Sequence, residues 1–296
     1  MSTATATPPS ATPAAPKHQA ATRRTRRIPT GSVGSGILAW LAGLVFFFPV
    51  LWMFVTGFKQ ESAASTDPPT FLFTPTFDQY REILARNFAP YFINSLSASV
   101  LSTIFVIVLA TPAAYALSIA RVPAWRDSLF FFISTRMMPA VAIILPLYLI
   151  AKNLGMLDNV TFLALMYTAM NLPIAVWMIR SFLIELPKEV LEASRMDGAG
   201  LFTEIRSIIL PMIAPGLAAT GLICFIFAWN EFFFAVSLTA TQAATVPVFL
   251  VGFITSEGLF WARLSAASTM AALPVILAGW IAQKWLVRGL SLGAVK

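Results

Sequence analysis

Six long apolar stretches separated by short polar ones make up most of this 296-residue chain. Each is close to the ~20 residues that an α-helix needs to cross ~30 Å of hydrocarbon. The pattern predicts spans at 34–57, 92–120, 128–151, 160–184, 212–238 and 266–287. The expected class is therefore an all-α integral membrane protein with six transmembrane helices, formed by residues 33–296 as one domain. Residues 1–32 are rich in Ala, Thr, Pro and Ser and predict a disordered tail. The first apolar segment starts too late and runs too long for a signal peptide. No internal repeat is evident.

The linkers differ in character. Residues 58–91 carry Pro68, Pro69, Pro75 and Pro90 and predict an irregular loop. Residues 239–265 hold Thr245-Val246-Pro247 and the aromatics Phe249, Phe253, Phe260 and Trp261. That loop is apolar enough to dip back toward the membrane or to lie on a partner. Residues 187–210 break the apolar pattern most sharply. They carry Lys188, Glu189, Glu192, Arg195, Asp197, Glu204 and Arg206, a load that no span tolerates.

Local signals give this charged island a shape. Pro187 suits the first turn of a helix, and Glu189 and Glu192 lie near its positive end. Gly198 and Gly200 can end that helix and turn the chain. A second short helix is expected over about 201–210, running to Pro211, with Ile205, Ile208 and Ile209 as its apolar side. The prediction is a helix–turn–helix along the membrane face, with Asp197 and Gly198 at the exposed elbow. An ordinary amphipathic interfacial loop would show the same residues.

Composition narrows the function. The chain is 58% hydrophobic and 11% charged, against about 25% charged in soluble domains. The net charge of +7 is concentrated at membrane flanks. Lys17, Arg23, Arg24, Arg26 and Arg27 precede the first span, the positive-inside signature. With six spans, fourteen basic residues fall on the tail side and five (Lys59, Arg81, Arg86, Lys152, Arg263) on the other, which predicts both termini and the island in the cytoplasm. No basic folded face points to nucleic acid. The single cysteine, Cys224, and single histidine, His18, exclude a His- or Cys-based zinc site and argue against a His-dependent triad. No metal site is expected.

The run Glu192-Ala193-Ser194-Arg195-Met196-Asp197-Gly198-Ala199, with Pro211 thirteen residues beyond Gly198, resembles the EAA motif of ATP-binding-cassette import permeases. Ser194 replaces the motif's second alanine, a small-for-small change. Ile93-Asn94-Ser95-Leu96, Ala113-Ala114-Tyr115-Ala116-Leu117, Pro146-Leu147-Tyr148 and Ala228-Trp229-Asn230-Glu231 look like the carbohydrate-uptake branch, specifically its maltose-permease-like second subunit. Residues 1–32 alone fall outside the match. The resemblance implies that Glu192, Ala193, Ser194, Asp197, Gly198, Ala199 and Pro211 belong to a cytoplasmic coupling helix between spans four and five, seated in an ATPase. It implies a homologous second permease subunit, two ATP-binding-cassette ATPase subunits and an extracytoplasmic sugar-binding protein as partners, in the bacterial inner membrane. The chain holds no Gly-x-x-x-x-Gly-Lys-Ser/Thr loop, so ATP and Mg are expected in the ATPase subunits and no cofactor on this chain.

Ionisable groups inside spans are expensive and are functional candidates by default. Arg136 and Glu231 stand out, separated by ~16 Å along the membrane normal at 1.5 Å per residue, too far for an ion pair. Glu231 with Asn230, Trp229 and Asn94 offers the acceptors, donors and aromatic faces that suit a polyhydroxylated solute. Packing of this subunit against its homologue is the favoured alternative for Asn230 and Glu231, and a bond between helices the alternative for Asn94. Arg136, beside Met137-Met138-Pro139, sits where proline loosens a helix and would fill freed carbonyls or meet a ligand. The fifth span and, in the third, Thr135-Arg136-Met137-Met138-Pro139 look most like sugar-alcohol or monosaccharide-derivative permeases, with a disaccharide such as trehalose or maltose open. The rivals are a permease of the same superfamily for a non-sugar solute, an ion-gradient carrier, for which Glu231 alone is available as a relay, and a membrane enzyme, for which clustered His, Asp or Glu is lacking.

Overall fold

The computed structural model describes residues 31–120, 122–256 and 258–293. The predicted tail lies outside them apart from Gly31 and Ser32, which already belong to the first helix. In chain order the elements are α1 (Gly31–Thr56), α2 (Glu61–Ala64), α3 (Asp78–Ala85), α4 (Phe88–Ser118), α5 (Trp125–Arg136), α6 (Ala140–Asn153), α7 (Val160–Ile184), α8 (Lys188–Met196) and α9 (Leu201–Thr203). A π-helical turn (Glu204–Ile209), α10 (Leu210–Trp229), α11 (Phe233–Leu238), α12 (Val246–Val251), a two-stranded hairpin of β1 (Ile254–Thr255) and β2 (Gly258–Leu259), and α13 (Trp261–Gly293) follow. In the hairpin Ile254 pairs with Leu259 and Thr255 with Gly258, antiparallel.

Five helical stretches among the described residues are long and apolar enough to cross a membrane, and a sixth span exists if α5 and α6 count as one. α1 up to Phe48 forms one unit, and residues from Pro49 onward form the other. In the first unit Trp40 and Phe46 are exposed, as expected of a helix whose surroundings are lipid or another subunit.

In the second unit α4 packs along α7, and α10 lies against α4, α7 and α13. Small side chains let the backbones approach: Ala98, Ala110, Ala114, Ala164 and Ala175 are fully buried. At Gly216 of α10 an added Cβ would fall on the Phe182 ring of α7. One core, toward the charged island, joins Tyr115, Leu117, Leu183, Leu191 and Ile209. Another, at the opposite end, joins Ile83, Phe88, Trp229, Val246 and Phe253.

Two spans depart from the expected pattern. The third, predicted as one helix over 128–151, is broken by an 89° bend between α5 and α6. Pro139 adopts an extended ψ of 128° ahead of α6, and a proline also disfavours α conformation in the residue before it. The fifth, predicted over 212–238, is helical from Leu201 to Trp229 and stops at Asn230. The expected separate helix ending at Pro211 is continuous with it. Pro211 has no N–H for the carbonyl four residues back, and just there the turn widens, with Leu210 N–H bonding Ile205 O.

The 58–91 segment, expected to be an irregular loop, carries α2, α3 and the start of α4 and is anchored to the rest of its unit. Glu61 accepts the Ala262 and Arg263 N–H groups at the start of α13 (3.0 and 3.2 Å), and Arg263 pairs with Glu82 at 2.8 Å. Lys59 is 1% exposed, donates to Thr70 O at 2.6 Å and lies 4.1 Å over the Trp52 ring. Burial pushes its amine below the usual lysine range.

Candidate coupling site

α8 ends in a glycine cap. Gly198 has φ +81°, a left-handed conformation that a side chain resists. Its N–H bonds Arg195 O at 3.1 Å, and Ala199 N–H bonds Ser194 O at 3.0 Å. These are the paired bonds of a Schellman motif, which satisfy carbonyls that a helix end leaves free. Gly200 is extended, and its carbonyl accepts Glu204 N–H at 2.9 Å, starting the next helix. Two glycines therefore reverse the chain within four residues, as the sequence predicts.

The helix has one covered side. Leu191 and Ser194 are each 7% exposed, whereas Glu192, Ala193, Asp197 and Gly198 are exposed. The Ser194 hydroxyl donates to Leu191 O at 2.8 Å, so the buried polar group introduced in place of alanine is satisfied locally. Around the elbow Met196, Leu201 and Phe202 are also exposed. A cleft of about 460 Å³ below α8 is lined by Ser118, Leu183, Lys188, Glu192 and Arg195 among others.

The elbow is pinned by three residues. Arg195 Nε and an Nη atom donate to the two carboxylate oxygens of Glu204 at 2.9 and 3.0 Å. Tyr115 Oη on α4 donates to the same carboxylate at 3.0 Å. The Glu204 side chain is 3% exposed, and the Arg195 side chain is half exposed. The carboxylate bond and charge hold the Arg195 guanidinium firmly protonated, above its ordinary value. Glu204 and Tyr115 were not among the expected site residues. A lone acid entering an apolar run, nine residues after Arg195 across a Gly turn, was the available signal for Glu204. Tyr115 lies in the Ala113–Leu117 run that carries the resemblance, but nothing in that run marks it as a partner of Glu204.

Trp229, Asn230, Glu231, Asn94 and Arg136 each have a hydrogen-bond partner within the chain. Trp229 is 4% exposed, and its indole N–H donates to Ala271 O at 3.1 Å. Its ring stacks on Phe225 and meets Phe92 edge-on, so packing occupies the aromatic face expected for a solute. The Asn230 amide donates to Ile226 O of its own helix at 2.8 Å. The Glu231 carboxylate accepts the Phe234 and Ala235 N–H groups at 3.0 to 3.2 Å. It caps the start of α11, which is why the fifth span can stop and restart there. Asn94 donates to Gln242 O and Ala244 O at 2.7 and 3.0 Å, while Ser95 Oγ accepts Val246 N–H at 2.8 Å. Arg136 donates to Met170 O of α7 at 2.6 Å, which is not one of the carbonyls next to Pro139 that it was expected to fill. No ion pair joins Arg136 to Glu231 among the described residues.

Asp158, which carried no expected role, organises the far end. It adopts φ +53° and accepts N–H groups from Ala240, Thr241, Gln242 and Ala243 at 2.8 to 3.0 Å. Burial alone would raise its pKa. The four backbone donors outweigh burial and hold the carboxyl well below the usual range. Among the described residues no cluster of three or more His, Cys, Asp or Glu could hold a metal.

A bundle of long apolar helices with a charged, pinned elbow at one end defines the class as a helical membrane transport component. Residues 107–292 match the model of the binding-protein-dependent transport system inner membrane component family, and the chain belongs to that family of ABC importer permeases. It is 36% identical over 262 residues to a probable ABC transporter permease protein, y4oR, of Sinorhizobium fredii, covering 88% of this chain and 94% of the relative. It is 34% identical over 252 residues to the trehalose transport system permease protein SugB of Mycobacterium tuberculosis, covering 84% and 92%. The diacetylchitobiose uptake system permease protein DasC of Streptomyces coelicolor is 32% identical over 269 residues, covering 90% and 98%. A bacterial ABC transporter that imports the acidic polysaccharide alginate shares the fold, with a TM-score of 0.69 over 86% of this chain and 96% of that one at 23% identity.

Proposed function

We propose that this chain is a transmembrane permease subunit of an ATP-driven importer of sugars or sugar alcohols, and that the α8 elbow couples it to an ATPase. The observation that carries this reading is the elbow itself. Its tip, at Asp197 and Gly198, is exposed, while its base is fixed to the π-helical turn ahead of α10 and to α4 through Arg195, Glu204 and Tyr115. A lever transmits a partner's movement only if its own hinge is stiff, and two-state coupling requires contacts that one state has and the other lacks. Met196, Leu201 and Phe202, exposed beside the tip, suit a partner's apolar cleft.

On this reading Glu192, Ala193, Ser194, Asp197, Gly198 and Ala199 form the seated helix, and Pro211 marks where it joins the span. One of two ATPase subunits docks there, the other docks on the second permease, and ATP and Mg are bound in them. A homologous second permease completes the pathway, and an extracytoplasmic binding protein delivers the solute. The elbow and both termini face the cytoplasm. Glu231 and Asn230 shape the break that flanks the pathway, and Asn94 and Trp229 hold its neighbours. The named relatives for trehalose and diacetylchitobiose, and the extent of those matches, support a carbohydrate.

Uptake of labelled trehalose, maltose, diacetylchitobiose, mannitol and sorbitol by cells expressing the complete transporter tests the reading. Asp197→Lys and Gly198→Trp are expected to abolish uptake while the chain stays inserted. Normal uptake in both variants would overturn the coupling role.

A further inference from the structure

We infer that Arg136, at the break between α5 and α6, lines the solute pathway and donates hydrogen bonds to the hydroxyl oxygens of the passing sugar or polyol, with the Phe227 ring as the apolar face beside it. This rests on the sugar-importer reading above and adds to it a solute-contacting residue.

The position is unusual for an arginine. Its guanidinium meets α7 at Met170 O, ten residues after Val160 and fourteen before Ile184. At 1.5 Å per residue that is ~15 and ~21 Å from the helix ends, close to mid-depth. The residue is exposed, and among the described residues its hydrogen-bond partner is that carbonyl, with the Phe227 ring 5.5 Å from the guanidinium carbon. A guanidinium has five N–H donors. The remaining donors need acceptors, and hydrocarbon supplies none, so an intramembrane arginine turns to a bundle interior or a water-filled cavity.

The backbone points the same way. α5 ends at Arg136, and the chain turns 89° before α6 begins at Ala140. Non-helical backbone at membrane depth is tolerated where it is buried in protein or lines a wet cavity. Here it is not buried within the chain: Met137 is 82% exposed and Met138 53%. Phe227 keeps 38% of its surface open beside the guanidinium. A planar cation and an aromatic face, side by side and uncovered, match the alternating hydroxyl and C–H surfaces of a sugar or polyol. Discontinuous spans form substrate sites in other transporter folds by the same logic.

Cysteine accessibility in the assembled transporter tests this. The single native cysteine, Cys224, is buried and can be replaced by Ala. In that background Met137→Cys leaves Arg136 intact, and Arg136→Cys probes the site itself. Met137→Cys is expected to react with a charged, membrane-impermeant methanethiosulfonate in transport-active vesicles, and Arg136→Cys, which loses the solute contact and so transports less, is expected to react in vesicles that keep the assembled ATPase complex. Whichever sugar or polyol of the uptake panel is transported is expected to slow that reaction several-fold, while a non-transported one leaves it unchanged. Reaction confined to a lipid-soluble maleimide, no reaction with either reagent, or labelling indifferent to every sugar and polyol would each overturn the inference. ATPase retention and uptake are measured on the same vesicles. A complex that keeps its ATPase and transports sugar but fails the labelling test overturns the arginine assignment alone. A Cys224→Ala complex with Arg136 intact that keeps its ATPase and moves no sugar or polyol of the panel overturns the parent reading with it.

Discussion

Arg195 and Glu204 close a two-pronged ion pair across the Gly198 turn, at 2.9 and 3.0 Å, with the carboxylate almost wholly buried. The pair ties the last turn of α8 to the first turn of the following span. Arg195→Met leaves Glu204 buried with Tyr115 as its remaining partner, at a cost of about 1.5–3 kcal/mol, the range for a hydrogen bond to a charged group. The half-exposed arginine places the value toward the low end. The double variant Arg195→Met/Glu204→Met is expected to cost less than the two single changes added, because it leaves no charge stranded. Thermal inactivation of the purified complex measures both.

The Gly198 turn separates backbone strain from docking. A Cβ at Gly198 meets nothing within 4 Å, so the obstacle to substitution is φ +81° rather than space. Gly198→Ala is expected to cost about 1–2 kcal/mol, the left-handed penalty for a non-glycine residue. Gly198→Asn costs less and Gly198→Val more. Uptake that follows this order, with the complex intact, assigns the loss to the turn.

Helix approach at Gly216 gives a packing test. Gly216→Ala forces the Phe182 ring aside, at an expected 1–3 kcal/mol, roughly the cost of overpacking. Adding Phe182→Ala relieves the clash, so the double variant is expected to recover part of the stability lost by the single one. Equal additive losses would place the ring elsewhere.

The Asp158 clamp has a defined pH dependence. Its folded pKa is depressed, so its contribution is complete above the ordinary aspartate value of about 3.9 and is lost as pH falls below that toward the folded value. Between pH 7 and 5, hydrogen exchange of the Ala240–Ala243 amides is expected to show constant protection once corrected for intrinsic rates. Asp158→Ala removes that protection throughout the range, because four N–H groups lose their acceptor.

Long apolar runs made the spans legible, because bilayer thickness fixes their length whatever packs around them. The glycine turn was legible too, since Gly198 and Gly200 specify backbone angles locally. The break at Pro139 was visible as a proline but hidden by averaging over an apolar window. The end of the fifth span was masked by Phe232-Phe233-Phe234, which reads as continued lipid-facing helix. There Glu231 looked like an intramembrane charge, yet its carboxylate caps α11. Asn94 and Asp158 could not be placed from sequence. Asn94 finds its acceptors 148 and 150 residues away and Asp158 its donors 82 to 85 away, and no local pattern encodes such pairs.

Site-directed cross-linking at the elbow bears most directly on the lever. With Cys224→Ala as background, Asp197→Cys is placed in the assembled complex and treated with a short bifunctional thiol–amine reagent. A covalent adduct with the ATPase subunit, absent when Thr241→Cys at the far end is used instead, is the predicted result. Free reaction of Asp197→Cys with a bulky soluble maleimide in a complex that keeps its ATPase, and no adduct, would contradict the account.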